Sequence, residues 1–318
     1  MSCNILVTSI SKKVPLLNAL KHALKTLNLP GTLIGADTNP ACIGRHFVDA
    51  FWQMPLQADL TCDTVLSFCR DNQIKLIIPT RDGELPFFAQ HQAALQSQGI
   101  WCAISLASTI DICRDKWQFA QFLSSHKHPS ISTTLTIDEL DTPSYVVKER
   151  YGAGARTLKL DLTQQEAIQW AATLAQPIFQ PYIKGIEYSV DLYVDRTGYV
   201  KGTIVRSRDL IIDGESQITT SHQDPHIEQL CQNVAHDLKL YGPAVIQLLR
   251  DQKGQLHLIE CNPRFGGAST LSLAMGLHSL EWLLLEALDQ PPPPFCRDIH
   301  EKRQIRYAQD LIIPYTEA

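Results

Sequence analysis

The chain has no stretch near the roughly 20 consecutive apolar residues needed to span a bilayer. Its first residues, Met1-Ser2-Cys3-Asn4-Ile5, carry neither the basic start nor the long apolar run of a secretory signal. Both absences argue against a membrane or secreted protein, and a cytoplasmic location is the expectation. None of the nine cysteines stands in a C-x-x-C pair, so a zinc ribbon or dithiol centre is disfavoured and the thiols read as dispersed and reduced. His126 and His128 have no further ligand at metal-binding spacing and read as exposed linker. There is no block of basic residues and no interleaving of aromatic with basic ones, and the formal net charge is −5. A nucleic-acid partner is therefore not expected; local cations serve small anionic ligands instead. No G-x-G-x-x-G follows the first strand-like segment, where the turn is Ser9-Ile10-Ser11, which disfavours a nicotinamide oxidoreductase.

What is present is a chain of 318 residues with 44% hydrophobic and 19% charged residues, enough for two or three packed units. Strand-like and helix-like periods alternate through Asn4–Thr8, Val14–Leu27, Thr32–Ala36, Thr64–Asn72 and Ile74–Ile78, which predicts a parallel, doubly wound α/β sheet. Ligands of such sheets gather beyond the carboxyl ends of the strands, where Thr80-Arg81-Asp82-Gly83-Glu84 would lie. Asp82 and Glu84 read equally well as substrate-facing acids or as groups favouring a helix amino terminus. A helix is expected from Asp111-Ile112-Cys113-Arg114-Asp115-Lys116 to about Ser124, then an extended stretch from Pro143 to Lys148 broken by Tyr151-Gly152-Ala153-Gly154-Ala155-Arg156. The glycines there would let backbone amides approach an anion, and Lys148 just upstream strengthens that reading.

Beyond it the periods predict a helix over Thr163–Leu174, an extended run at Ile178–Ile183, and a half-buried strand over Ile186–Val194. That strand pairs through a turn at Asp195–Gly198 with Tyr199–Arg206. Asp213-Gly214-Glu215-Ser216 reads as a mobile turn, His226–Leu238 as a helix and Thr270–Leu288 as one long apolar helix. Pro291–Pro294 close the compact part, and Gln304-Ile305-Arg306-Tyr307 can add an edge strand. Arg206 and Arg208 should face a cleft, to bind phosphates or a substrate carboxylate, with a solvated strand end as the plainer reading. Domains are expected at 1–108, 109–182 and 183–290, with a tail over 291–318.

Leu256–Gly267, LHLIECNPRFGG, concentrates the chemistry. Glu260, Asn262 and Arg264 alternate, so an extended backbone sends them to one side. A carboxylate and an amide oxygen suit Mg²⁺, and Arg264 adds a planar cation for phosphoryl or carboxylate oxygens. Cys261 should point away and be structural. Asp251-Gln252-Lys253-Gly254 reads as a four-residue hairpin loop, which would set Arg250 opposite Gln255 and Gln247 opposite Leu258. Val245, Gln247, Leu249, Leu256, Leu258 and Glu260 would then share a face, a conclusion that a three- or five-residue loop would break. The plainer alternative is a surface Glu260–Arg264 pair at a strand end.

Taken in order, Asp115-Lys116, Lys148 with the glycine loop, Gln180-Pro181-Tyr182-Ile183-Lys184-Gly185-Ile186-Glu187, Gln247 and Glu260-Cys261-Asn262-Pro263-Arg264 resemble the ATP-grasp superfamily, in particular its branch similar to the carbamoyl-phosphate synthase large chain. The likeness runs from the first strand to about Leu288. It implies a doubly wound α/β domain before a two-lobed ATP-grasp fold, and ATP with Mg²⁺, or Mn²⁺ in its place, as cofactors. By resemblance Lys116 and Lys148 contact phosphates, Gly152 and Gly154 belong to the loop that closes over them, and Gln180, Pro181, Tyr182 and Ile183 supply the backbone that reads adenine. Glu187 matches an acid near the ribose, Glu260 and Asn262 match metal ligands assisted by Gln247, and Arg264 matches the cation that stabilises a reacting acyl phosphate. Pro181 stands where relatives commonly carry an acid, and Ala155 where they often carry serine. The implied activity is ligation of a small carboxylate, such as an amino acid, to an amine. A non-catalytic ATP-binding protein is the alternative, and a homodimer is implied by the resemblance alone. A complete carbamoyl-phosphate synthase is not expected, since one ATP-grasp unit and no glutaminase segment are visible.

Overall fold

A computed structural model describes residues 3–152 and 157–314. Ala153, Gly154, Ala155 and Arg156 of the expected phosphate loop lie outside the described residues. The first sheet is parallel throughout and contains β1 (Asn4–Thr8), β2 (Leu33–Asp37), β3 (Ala50–Gln53), β4 (Ile74–Ile78) and β5 (Trp101–Cys102), in the order β3-β2-β1-β4-β5. The doubly wound expectation holds, with the short edge strands β3 and β5 added to it.

Residues of β1 alternate between two cores. Leu6 packs with Ile34, Ile77 and Phe88 on one side. Ile5 and Val7 pack with Leu17 and Leu20 on the other, where they also meet Leu280, Trp282 and Leu283 from the far end of the chain. The first sheet thus completes its core with the helix Ser279–Ala287, and each large side chain fully buried there contributes about 1.5–3 kcal/mol. This shared core fixes the carboxyl end of β4 against the turn after Asn262.

The expected helix 111–124 is two, Ala107–Arg114 and Lys116–Ser125. Asp115 separates them in an extended conformation and caps the second by accepting from the amides of Trp117 and Gln118, both at 3.1 Å. Both helices pack on the later antiparallel sheet through Cys113, Phe119 and Leu123. His128 is not exposed linker: its Nε2 lies 2.8 Å from Asp237 and the ring is half-buried.

A small antiparallel sheet follows, β6 (Tyr145–Glu149), β7 (Lys159–Leu162) and β8 (Pro177–Pro181), in the order β7-β6-β8. The helix Gln164–Ala171 backs it, started by a reciprocal capping box between Thr163 and Glu166. The remaining strands, β9 (Gly185–Val194), β10 (Val200–Ile212), β11 (Glu215–His222), β12 (Gly242–Asp251), β13 (Leu256–Asn262) and β14 (Arg303–Ile305), form a six-stranded sheet ordered β13-β12-β9-β10-β11-β14. β14 realises the edge strand expected in the tail. Asp213 and Gly214, with φ of +51° and +76°, make the tight turn that joins β10 to β11.

Two expectations fail here. β9 is buried on both faces from Tyr188 onward, because the helix Ser269–Ala274 covers Asp191 while a second core covers Val190 and Leu192. The long helix 270–288 breaks into Ser269–Ala274 and Ser279–Ala287. Gly276 lies between them at φ +94°, and a Cβ there would sit 2.1 Å from the Cys296 carbonyl oxygen.

Candidate nucleotide-sized cavity and its polar wall

A cavity of about 720 Å³ opens between the three-stranded and six-stranded sheets. Its apolar walls come from Ile131, Val146, Leu160, Ile186, Leu249 and Ile259. Lys116, Lys148, Glu187, Arg208, Gln247 and Glu260 bring polar groups into the same space. An apolar cleft with a few convergent charges is the usual form of a small-molecule site.

The β12–β13 hairpin does not have the expected register. Asp251 donates its amide to the Gln255 carbonyl at 2.9 Å, so three residues form the loop and Arg250 pairs with Leu256, not Gln255. Continued unbroken, that register would leave Glu260 out of step with Gln247. A register shift between Gln247 and Leu248 absorbs Ile259, after which Gln247 pairs with Glu260 and Val245 with Asn262. Leu256, Leu258 and Cys261 turn into the core beneath, while Ile259 and Glu260, adjacent in sequence, both line the cavity. Leu256 and Leu258 therefore do not share a face with Glu260. Cys261 is buried and points away, as expected.

Lys148 on β6 is 9% exposed. Burial pushes its ammonium down from the ordinary 10.5 to about 8; nearby Glu260 and Glu187 act upward and Lys116 downward. Lys116 follows the capping Asp115 directly, and its Nζ donates to the Gly152 carbonyl at 2.8 Å. Asp115 also accepts Arg150 Nε at 2.8 Å and the Tyr151 hydroxyl at 2.8 Å. One buried carboxylate thereby ties the start of the Lys116 helix to the strand carrying Lys148. Burial would raise the Asp115 carboxyl, but Arg150, the Gln118 amide and Tyr151 outweigh it and hold it at about 2.

Across the cavity, Gln180 is buried and donates to Thr133 Oγ1 at 2.7 Å. Residues Gln180 through Glu187 form one rim. Glu187 pairs with Arg208, whose other nitrogens reach Ser216 Oγ at 3.1 Å and the Gly214 carbonyl at 2.6 Å. Arg206 is held elsewhere: it is 3% exposed, donates from Nε to Asp191 at 2.6 Å, and is not part of the cavity lining.

Asn262 Nδ2 donates to Glu260 at 3.0 Å and its Oδ1 accepts from Arg264 at 3.2 Å. Arg264 grips Asp82 through Nε at 2.8 Å and Nη2 at 2.6 Å, a bidentate pair across the joint between the first sheet and the large one. Glu84 is not available to a ligand. It is 2% exposed and accepts from Thr8 and Ser9 hydroxyls and the Thr80 and Arg81 amides, locking the ends of β1 and β4 together. Its side chain makes no helix-capping bond either. Sequence reasoning missed the apolar residues Ile131, Leu160 and Ile259, which carry no chemical signature.

Among the described residues no cluster of three His, Cys, Asp or Glu could hold a metal unaided, and no helix is long and apolar enough to cross a membrane. Glu260 and Gln247 offer hard oxygens beside the two lysines, while Asn262, outside the cavity lining, gives its oxygen to Arg264 and its nitrogen to Glu260. A ligand that brings its own anionic oxygens would complete such a site.

Residues 173–310 match the family described as ATP-grasp in the biosynthetic pathway with Ter operon, and residues 5–103 match the PylC-like N-terminal domain. No curated protein matches significantly. Among solved structures, the biotin carboxylase domain of Hydrogenobacter thermophilus 2-oxoglutarate carboxylase, in complex with MgADP, ADP and bicarbonate, is 13% identical with a TM-score of 0.76, over 95% of this chain and 74% of that one. N5-carboxyaminoimidazole synthetase from Staphylococcus aureus, complexed with ADP, is 15% identical with a TM-score of 0.72, over 93% and 80%. L-amino acid ligase from Bacillus licheniformis is 16% identical with a TM-score of 0.69, over 90% and 74%.

Proposed function

We propose, from the ATP-grasp fold that the chain carries, that it is a Mg²⁺-dependent ligase that uses ATP to activate a small carboxylate as an acyl phosphate for attack by an amine. The observation that supports this most is the convergence of Lys116 and Lys148 with Glu260 and Gln247 in one largely apolar cavity. Bringing a triphosphate to a carboxylate opposes two anions, and catalysis then consists mainly of positioning and offsetting charge.

In this reading Ile131, Val146, Ile186 and Ile259 enclose the flat base, and the rim from Gln180 to Ile183 presents backbone groups to its edge. Lys148 and Lys116 hold phosphate oxygens, and Glu187, paired with Arg208, meets the sugar. Glu260 with the amides of Gln247 and Asn262 would hold Mg²⁺. The set fits, since this ion commonly takes one or two protein carboxylates and draws its remaining ligands from phosphates and water. Bound there, the ion would neutralise phosphate charge and polarise the transferring group. Arg264, fixed by Asp82, orients the acid and stabilises charge on its oxygens.

Hydroxylamine trapping tests this reading. A carboxylate panel incubated with ATP, Mg²⁺ and hydroxylamine should yield a hydroxamate together with equimolar ADP, and chelation of the metal should stop both. ATP binding with neither ADP nor hydroxamate from any acid would instead make the chain a nucleotide binder.

A further inference from the structure

Gln180 on β8 pairs with Val146 on β6, so its side chain projects from the same sheet face as Val146 and Lys148, and all three line the cavity. Behind it lies Thr133, outside the cavity lining. Thr134 and Phe179 exchange both backbone hydrogen bonds at 3.0 Å, which holds Thr133 beside Gln180. The two side chains are 5% and 4% exposed, and Gln180 Nε2 donates to Thr133 Oγ1 at 2.7 Å. The Thr133 hydroxyl in turn donates to the Ile131 carbonyl at 2.9 Å. A hydroxyl carries one proton, and with that proton given to Ile131 the Thr133 oxygen can only accept from Gln180. The nitrogen of the Gln180 amide is therefore turned to Thr133 and its oxygen, Oε1, is turned away. Among the described residues nothing donates to Oε1, yet the atom is not sealed in the interior. It is an open acceptor in the wall that also holds Val146, Pro181 and Tyr182.

A primary amide free to turn can offer either its NH₂ or its oxygen, and so accepts either kind of ring edge. Held by Thr133, this one offers oxygen alone. We propose that Thr133 sets the base specificity of the cavity. By fixing the Gln180 amide it makes the site favour a base with an exocyclic amino group, as in adenine, over one with an oxo group at the same position, as in hypoxanthine. The oxo group would oppose two acceptors where little water reaches, and neither would be satisfied. This rests on the reading of the cavity as a nucleotide site, and deepens it by assigning the choice of base to a side chain behind the wall. Thr133 acts through Gln180 and is a positioning residue.

The test is equilibrium binding of ATP and ITP, each with Mg²⁺, to the full chain. The two nucleotides share sugar and triphosphate and differ at the C6–N1 edge of the base. The wild type should bind ATP about a hundredfold more tightly than ITP, the scale of leaving buried polar groups unpaired. Thr133→Val keeps the side-chain shape without the hydroxyl and should lower that ratio about tenfold, chiefly by improving ITP, because the freed amide can turn its NH₂ to the oxo group. Thr133→Ser, which restores the hydroxyl, should bring the ratio back. Gln180→Leu removes the acceptor itself, should lower the ratio by a similar factor, and carries the test if Thr133→Val does not fold. Equal binding of ATP and ITP by the wild type, or an unchanged ratio in either folded variant, would overturn the proposal. No binding of either nucleotide sinks the nucleotide reading together with this one. A preference for ATP that Thr133→Val lowers, with no ADP release from any pair of acid and amine, sinks the ligase reading alone.

Discussion

Gln247 and Glu260 face each other across the β12–β13 ladder, with Ile259 bulged out of the register beside them. The bulge gives the cavity an apolar side chain and a carboxylate from consecutive positions, which regular alternation cannot do.

The two neighbours should separate by effect. Ile259→Ala removes wall surface only, and should weaken ATP affinity by about tenfold, the scale of burying one or two methylene groups, while maximal turnover is kept. Glu260→Gln removes a metal-facing charge at almost constant volume, and should lower ADP release by about 10²–10³ with the denaturation curve unchanged. ATP titration and steady-state ADP release on both variants check this. Equal losses in affinity and turnover for both would mean that the bulge does not divide the roles.

Arg264 and Asp82 join the first sheet to the large one, and the guanidinium is withdrawn from solvent. Asp82→Asn leaves that cation without its counter-ion and should cost about 3 kcal/mol in denaturant unfolding. Adding Arg264→Met should restore most of the stability while leaving the protein inactive. A double variant as unstable as the sum of the singles would show that the two groups are not coupled.

Lys148 couples nucleotide binding to protons. Its folded value of about 8 lies below the ordinary 10.5, so between those values the unfolded chain holds more protons and this group's contribution to stability grows as pH rises, being lost as pH falls through about 8. A bound triphosphate reverses the bias and draws a proton onto Lys148. Calorimetry at pH 8.5 to 9 (about one unit around the free value) in buffers of different ionisation enthalpy should show proton uptake on ATP binding, and Lys148→Met should show less by the share of one group. An identical uptake in the variant would remove Lys148 from the phosphate site.

Asp115 works in the opposite direction. Its carboxyl is held at about 2 against an ordinary 3.8, so its stabilisation is complete above the ordinary value and is lost as pH falls through about 2. Acid unfolding of Asp115→Asn should be flatter across that window than the wild type, and its Lys116 helix should start less firmly. A parallel pair of acid limbs would mean that Arg150 and Tyr151 do not hold the charge.

The parallel sheet was legible because β1, β2 and β4 are nearly continuous apolar runs between helical periods. The polar wall was legible because Lys116, Lys148, Gln247 and Glu260 stand in an ordered pattern. What stayed hidden depends on contacts between distant segments. Residues 111–124 are periodic throughout, and only the demand of Arg150 on Asp115 shows why two helices form. Residues 270–288 are predominantly apolar, and the close approach of the Cys296 carbonyl to Gly276 marks where they break. Arg206 and Arg208 look alike two residues apart, yet Asp191 removes the first from the cavity while Glu187 keeps the second in it. Glu84 was readable as a polar group at a strand end, but its saturation by β1 depends on the folded sheet. The hairpin register was misjudged because loop length and bulge shift it in steps that local sequence does not specify.

The most direct measurement is the mass of the product formed from an amino-acid and carboxylate mixture with ATP and Mg²⁺. Ligase activity requires a new species weighing one acid plus one amine less one water, formed in step with ADP and phosphate and slowed about 10²–10³-fold with Glu260→Gln. ATP that binds but yields no such condensation product, with or without ADP release, would contradict it.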